Sequence, residues 1–147
     1  MRRSVGYRGR AMATLNEEQL AQAVQGFDRL YGLELLSMSD EEVRAQVEVR
    51  PDLKQPAGLV HGGVYASMAE SMASLATALA VMGDGEIAMG LSNSTSFLRP
   101  VTDGVVHAVA TRVHRGRTTW VWDVRFSNDA GKVCALTRMT IAVRASS

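Results

Sequence analysis

The chain has 147 residues, 46% apolar and 21% charged, which suits one domain with a real core, is too short for two ordinary ones and excludes wholesale disorder. No apolar run approaches the ~20 residues of a membrane span, and a single cysteine, Cys134, excludes an intramolecular disulfide framework and a multi-cysteine zinc site. The net charge of +1 averages two unlike parts: without the four arginines of residues 1–12, twelve Lys and Arg face fifteen Asp and Glu, a body of −3 with no basic face for nucleic acid.

Residues 1–12, with Arg2, Arg3, Arg8 and Arg10 and no acid, read as a basic, disordered leader or an upstream start before Met12. They lack the apolar centre of a secretory signal. The expectation is a cytoplasmic, metal-free protein with one domain over 13–147. Thr14-Leu15-Asn16-Glu17 fits a capping box, and Leu20, Val24, Phe27 and Leu30 then recur at helical spacing, predicting one amphipathic helix of about four turns. A strand follows near Leu33–Met38, with a turn at Ser39-Asp40. The alternation of Val43, Ala45, Val47 and Val49 with Arg44, Gln46 and Glu48 predicts a half-buried strand. Pro51 and Pro56 bracket a loop.

From His61 to Met82 the chain is rich in Ala and Met and keeps glycine only at its start, which predicts a long helix covered on nearly all sides. Met82-Gly83-Asp84-Gly85 ends it. Four strands follow, over Ile87–Leu98, Val105–His114, Thr118–Ser127 and Val133–Val143, with turn signals at Asp103-Gly104, Gly116 and Asn128–Gly131. One covered helix before consecutive antiparallel strands implies an α+β fold, a sheet curled around a central helix.

Three features of that helix carry chemistry. His61-Gly62-Gly63 places unpaired N–H groups and the positive dipole end where a carbonyl or oxyanion could approach closely. Glu70 is the only acid between Leu53 and Met82. A carboxylate there needs either an arginine partner or a task, as general base or nucleophile. Ser74, one turn on, shares its face and can hydrogen-bond it or an intervening water. Nine residues separate His61 from Glu70, about 13 Å along a helix, so no acyl carbonyl reaches both in one chain. Two helices antiparallel across a two-fold axis would remove that obstacle.

Gln55, His61-Gly62-Gly63, Ala69-Glu70-Ser71 and Ser74 together resemble the hot-dog-fold acyl-CoA thioesterases, in the branch holding phenylacetate-pathway thioesterases and the glutamate-using 4-hydroxybenzoyl-CoA thioesterases. The likeness covers residues 30–144, with Phe97-Leu98-Arg99-Pro100 and His114-Arg115-Gly116-Arg117 at strand ends. It implies a hydrolase that turns an aryl, phenylacetyl or medium-chain acyl-CoA into acid and free coenzyme A. By the same resemblance, Gly62 N–H binds the thioester oxygen, Gln55 orients that carbonyl and His61 shapes the site. Glu70 of the opposite subunit activates water or attacks the acyl carbon, positioned by Ser74. No cofactor is implied, because coenzyme A belongs to the substrate. The implied assembly is a homodimer, doubled into a tetramer.

Gly63, Val64, Tyr65 and Met68 are the candidate acyl-pocket residues. Arg99, Arg117 and Thr118 are candidates for the nucleotide phosphates, with Arg115 and Thr119 behind them; guanidinium groups suit phosphate. Met72, Met82 and Met89 read as core or pocket filler, Trp120 and Trp122 as sheet packing, and His107 and His114 as neither metal ligands nor catalysts. Cys134 lacks the surroundings of a catalytic thiol. A non-catalytic acyl-CoA sensor of the same fold is the alternative, against which Glu70 and Gln55 argue. A hot-dog hydratase would need a histidine and acid pair placed differently.

Overall fold

The computed structural model describes residues 12–147; the basic leader of residues 1–11 lies outside them. Three helices and six strands follow the chain: α1 (Glu17–Ala23), α2 (Gly26–Tyr31), β1 (Glu34–Met38), β2 (Glu42–Glu48), α3 (Gly62–Val81), β3 (Glu86–Phe97), β4 (Val105–Arg115), β5 (Thr119–Ser127) and β6 (Val133–Ala145). Short 3₁₀ turns at Pro51–Leu53 and Met82–Asp84 flank α3. All strands join one antiparallel sheet in the order β1-β2-β4-β5-β6-β3. It wraps α3 in the hot-dog arrangement.

The strands follow from alternation. In β2, Val43, Ala45 and Val47 face inward; in β5, Trp120, Trp122, Val124 and Phe126 do the same. These side chains close on Met68, Met72, Ala73, Ala76 and Thr77 of α3. Trp122 Nε1 donates to Thr77 Oγ1 at 3.0 Å, so the indole is buried without an unmade bond. By length and composition α3 could cross a membrane, contrary to the expectation that no stretch comes near; here the sheet provides its apolar surroundings. One flank stays open: Glu70 is exposed, and Ser67, Ser71 and Ser74 are half-buried.

The N-terminal helix differs from expectation. Asn16, not Thr14, is the cap, in a reciprocal box with Gln19. The helix breaks after Ala23, and Gly26 takes a positive φ of 54° that only glycine adopts without strain. Leu20 and Val24 enter the core. Phe27 and Leu30 are turned outward, and Tyr31 fills their place inside.

β3 is the other departure. It pairs only with β6, and Ile87, Met89, Leu91 and Phe97 are all exposed, as is Leu98 just beyond it. Its register shifts between Gly90 and Ser92, a bulge beside α3.

Candidate active site

The helix start is built by its own cap. His61 is extended, and its Nδ1 accepts the Gly63 N–H at 2.9 Å. The His61 carbonyl accepts the Val64 N–H at 3.0 Å. Gly62 N–H, at the first helical position, has no intrahelical acceptor, and it sits on the positive end of a 20-residue helix. Glycine gives the two rings room here: a Cβ at Gly62 would lie 2.7 Å from Phe97 Cζ and one at Gly63 2.9 Å from His61 Nδ1, so a side chain at either place would have to displace a ring.

Gln55 stands beside this helix start. Its backbone N–H bonds the Leu59 carbonyl, its carbonyl accepts from Gly58, and its Oε1 accepts the Ala57 N–H at 2.7 Å. The amide nitrogen of that side chain is left to act. Gln55, Gly62, Tyr65, Phe97 and Arg99 line one cavity of about 390 Å³. Burial pushes the Tyr65 hydroxyl up to about 12, with the nearby Cys134 adding to it, so Tyr65 is a neutral wall. The Cys134 thiol is likewise buried and pushed up by that burial, the state of an inert thiol.

Glu70 lies elsewhere. Its carboxylate lies beside β3, where a Cβ at Gly90 would stand 3.5 Å from Oε1. Among the described residues no hydrogen bond or ion pair holds it. It lines a separate groove with Phe27, Asp28, Ser71 and Ser74. Ser74 makes no hydrogen bond to Glu70 here, contrary to the direct contact its spacing allowed. Ser71 instead donates to Asp28, which also accepts from Tyr31; burial pushes the Tyr31 hydroxyl well above its usual value. One chain therefore presents the helix start and the carboxylate in two different grooves.

The other candidates divide. Val64 lines a third cavity with His61 and Gly63, whereas Met68 is wholly inside the core rather than on a pocket wall. Arg99 borders the Gln55 cavity. Arg117 and Thr118 form the β4–β5 turn at the far end of the sheet, where the Thr118 carbonyl accepts from Val143 and Arg144. Arg115 is structural: with Arg112 it holds the Asp40 carboxylate, and both guanidiniums lie over the Trp120 ring at 4.7 and 5.1 Å. Thr119 is committed to β5, paired with Ala142. His107 bonds Asp129 at 2.8 Å, and no metal-ligating cluster occurs among the described residues.

Two contributors escaped the sequence reading. Asn93 Nδ2 donates to the Ala66 carbonyl at 2.9 Å, tying β3 to α3 between Gly62 and Glu70. Gly90 lets the Glu70 carboxylate approach the strand, and a lone glycine inside a strand pattern was its signal.

Comparison with known proteins places the fold in a family. A crystal structure of a mutant thioesterase from Pseudomonas aeruginosa superposes with a TM-score of 0.81 at 38% identity, over 88% of this chain and 94% of that one. A thioesterase of Haemophilus influenzae gives 0.83 at 31% identity, over 92% and 94%. The 1,4-dihydroxy-2-naphthoyl-CoA hydrolase of Listeria monocytogenes is 34% identical over 119 residues, 81% of this chain and 96% of that protein. The family model of the thioesterase superfamily matches residues 57–135. That span runs from the turn before His61 into β6 and takes in α3 with β3 to β5, so the chain belongs to the thioesterase superfamily.

Proposed function

We propose that the protein is an acyl-CoA thioesterase whose sites form between two copies of the chain. The observation that carries this is the unpartnered Glu70 carboxylate, held beside an edge strand and away from the Gly62 helix start. Placing two α3 helices antiparallel brings each carboxylate toward the other chain's Gly62. The exposed Ile87, Met89, Leu91 and Phe97 of β3 supply apolar area for such a contact. A tetramer would be a dimer of these dimers.

Gly62 N–H, strengthened by the α3 dipole, binds the thioester oxygen as it gains charge, an effect on the order of 10²–10³ in rate. The free amide end of Gln55 orients the same carbonyl. Glu70 takes a proton from water as the water oxygen bonds the acyl carbon, with Ser74 in the same groove to hold that water; the C–S bond then breaks and Glu70 returns the proton to the leaving thiolate, giving the acid and coenzyme A thiol. Arg99, at the mouth of the Gln55 cavity, suits the phosphates of coenzyme A; Arg117 and Thr118, at the far end of the same sheet, would join it only from the other chain. Aryl, phenylacetyl and medium-chain acyl groups are the substrates to try first.

Thiol release from a panel of these acyl-CoAs, for wild type and Glu70→Ala, tests the reading. Hydrolysis by wild type that is lost in the variant is the expected result. Tight acyl-CoA binding with no hydrolysis would overturn it in favour of a sensor.

A further inference from the structure

Tyr31 and Tyr65 are buried to the same degree, 4% and 3% exposed, yet their hydroxyls are served differently. Tyr31 donates to Asp28 at 3.0 Å. The Tyr65 hydroxyl has no hydrogen bond to any described residue, and its oxygen is not sealed inside the core either. Burying a phenol without a partner for its O–H costs free energy, and folded interiors mostly avoid it. The ring is firmly held: it meets the Phe126 ring edge-on at 5.3 Å and the Phe97 ring at 6.1 Å with a 55° tilt. The hydroxyl is therefore a fixed donor that lacks an acceptor.

Tyr65 lines the cavity that holds Gln55 and Gly62. Burial sorts the lining of that cavity. Val60 and Tyr65 are buried and make its floor, Gln55 and Gly62 are half-buried, and Phe97 and Arg99 belong to an exposed rim. A thioester whose carbonyl oxygen sits at Gly62 therefore sends one substituent down to the floor and the other out past the rim. The phosphates of coenzyme A go with Arg99 at the rim, so the acyl group goes down. A volume of about 390 Å³ is within the range of small-molecule sites and leaves room for it.

We infer that Tyr65 is a specificity-determining residue, whose hydroxyl on the floor of the Gln55 cavity donates a hydrogen bond to an oxygen carried by the acyl group. This rests on the thioesterase reading. Gln55, Gly62 and Tyr65 belong to one chain, and Glu70 of the other chain reaches the same carbonyl from the rim, so the two-chain site is kept. The substrate class is an acyl-CoA with a hydroxyl or carbonyl oxygen beyond the thioester. Burial pushes the Tyr65 hydroxyl up to about 12, so it keeps its proton and donates throughout the neutral range. A wholly apolar acyl group would strip water from that O–H and give nothing back, which is how a buried polar group rejects the analogue that lacks its partner.

The test compares kcat/KM for benzoyl-CoA and its three monohydroxy forms, in wild type and Tyr65→Phe, with Tm measured on each protein. The variant removes one oxygen that bonds nothing in the fold and keeps both ring contacts, so it folds. The expected result is a wild-type preference of about tenfold for one hydroxy isomer over benzoyl-CoA, the scale of one hydrogen bond between neutral groups, with that ratio falling to near one in Tyr65→Phe. A ratio near one already in wild type, or a preference that survives in Tyr65→Phe, overturns the inference, while Glu70-dependent hydrolysis leaves the thioesterase reading standing. A fall of Tm in the variant with no change of ratio overturns it in favour of a purely structural hydroxyl. Absence of hydrolysis in wild type overturns both.

Discussion

Asp40 and Glu70 are the same chemistry in opposite settings. Asp40 is buried at the turn after β1, its carboxylate 3.0 Å from Arg112 and 2.8 Å from Arg115, and those guanidiniums are backed by Trp120. Glu70 stands on the open flank of α3 with neither arginine nor hydrogen-bond donor among the described residues. The chain surrounds the Asp40 carboxylate with cations, whereas Gly90, serines and Phe27 border Glu70. Charge alone does not separate an acid tied into the fold from one left open to solvent. The neighbours do.

The contrast can be broken by mutation. Glu70→Gln is expected to lower kcat on acyl-CoA by roughly 10²–10⁴ and leave Tm unchanged; a Tm fall like that of an Asp40 variant would show that Glu70 is structural too. Asp40→Asn is expected to cost about 3 kcal/mol, a Tm drop of roughly 10 °C, because two guanidiniums lose their countercharge. Its activity per folded molecule should persist, and thermal unfolding beside an assay of the soluble fraction reads both. Gly63→Ala pushes a Cβ against His61 Nδ1 and is expected to cost about 1 kcal/mol through the cap, with a modest loss of kcat.

The smallest effect is expected at the exposed Asp123–Arg138 pair. Bonding to Arg138 holds the Asp123 carboxyl below its usual value. A depressed carboxylate stabilises above the unfolded range, near pH 4, and loses that contribution as pH falls through its folded value. Tm profiles of wild type and Arg138→Ala should therefore lie slightly apart at neutral pH and converge in acid.

The strands and the long helix were legible because alternation and a glycine-flanked Ala/Met run leave few other ways to bury their apolar residues. The predicted strand Thr118–Ser127 and β5, for instance, differ by one residue. The N-terminal helix misled for a local reason. Thr14-x-x-Glu17 and Asn16-x-x-Gln19 both satisfy the capping spacing, and the helical period of Leu20 to Leu30 is blind to a glycine that reverses φ. At the site, Glu70 and Gly62 stood out as residue types that are costly or unusual where they occur, whereas Gln55 came only through the resemblance to the hot-dog thioesterases. That Met68 is core and Ser74 bonds nothing on Glu70 depends on side-chain direction, which spacing along a helix does not encode. Phe27 looked like core for the same reason.

The cap on α3 also selects a tautomer. Since His61 Nδ1 accepts the Gly63 N–H, the ring must be neutral with its proton on Nε2, because an imidazolium has no lone pair to offer. The first turn of α3 is thus latched by a single lone pair, and the nitrogen chemical shifts of that one imidazole would show whether the latch is closed.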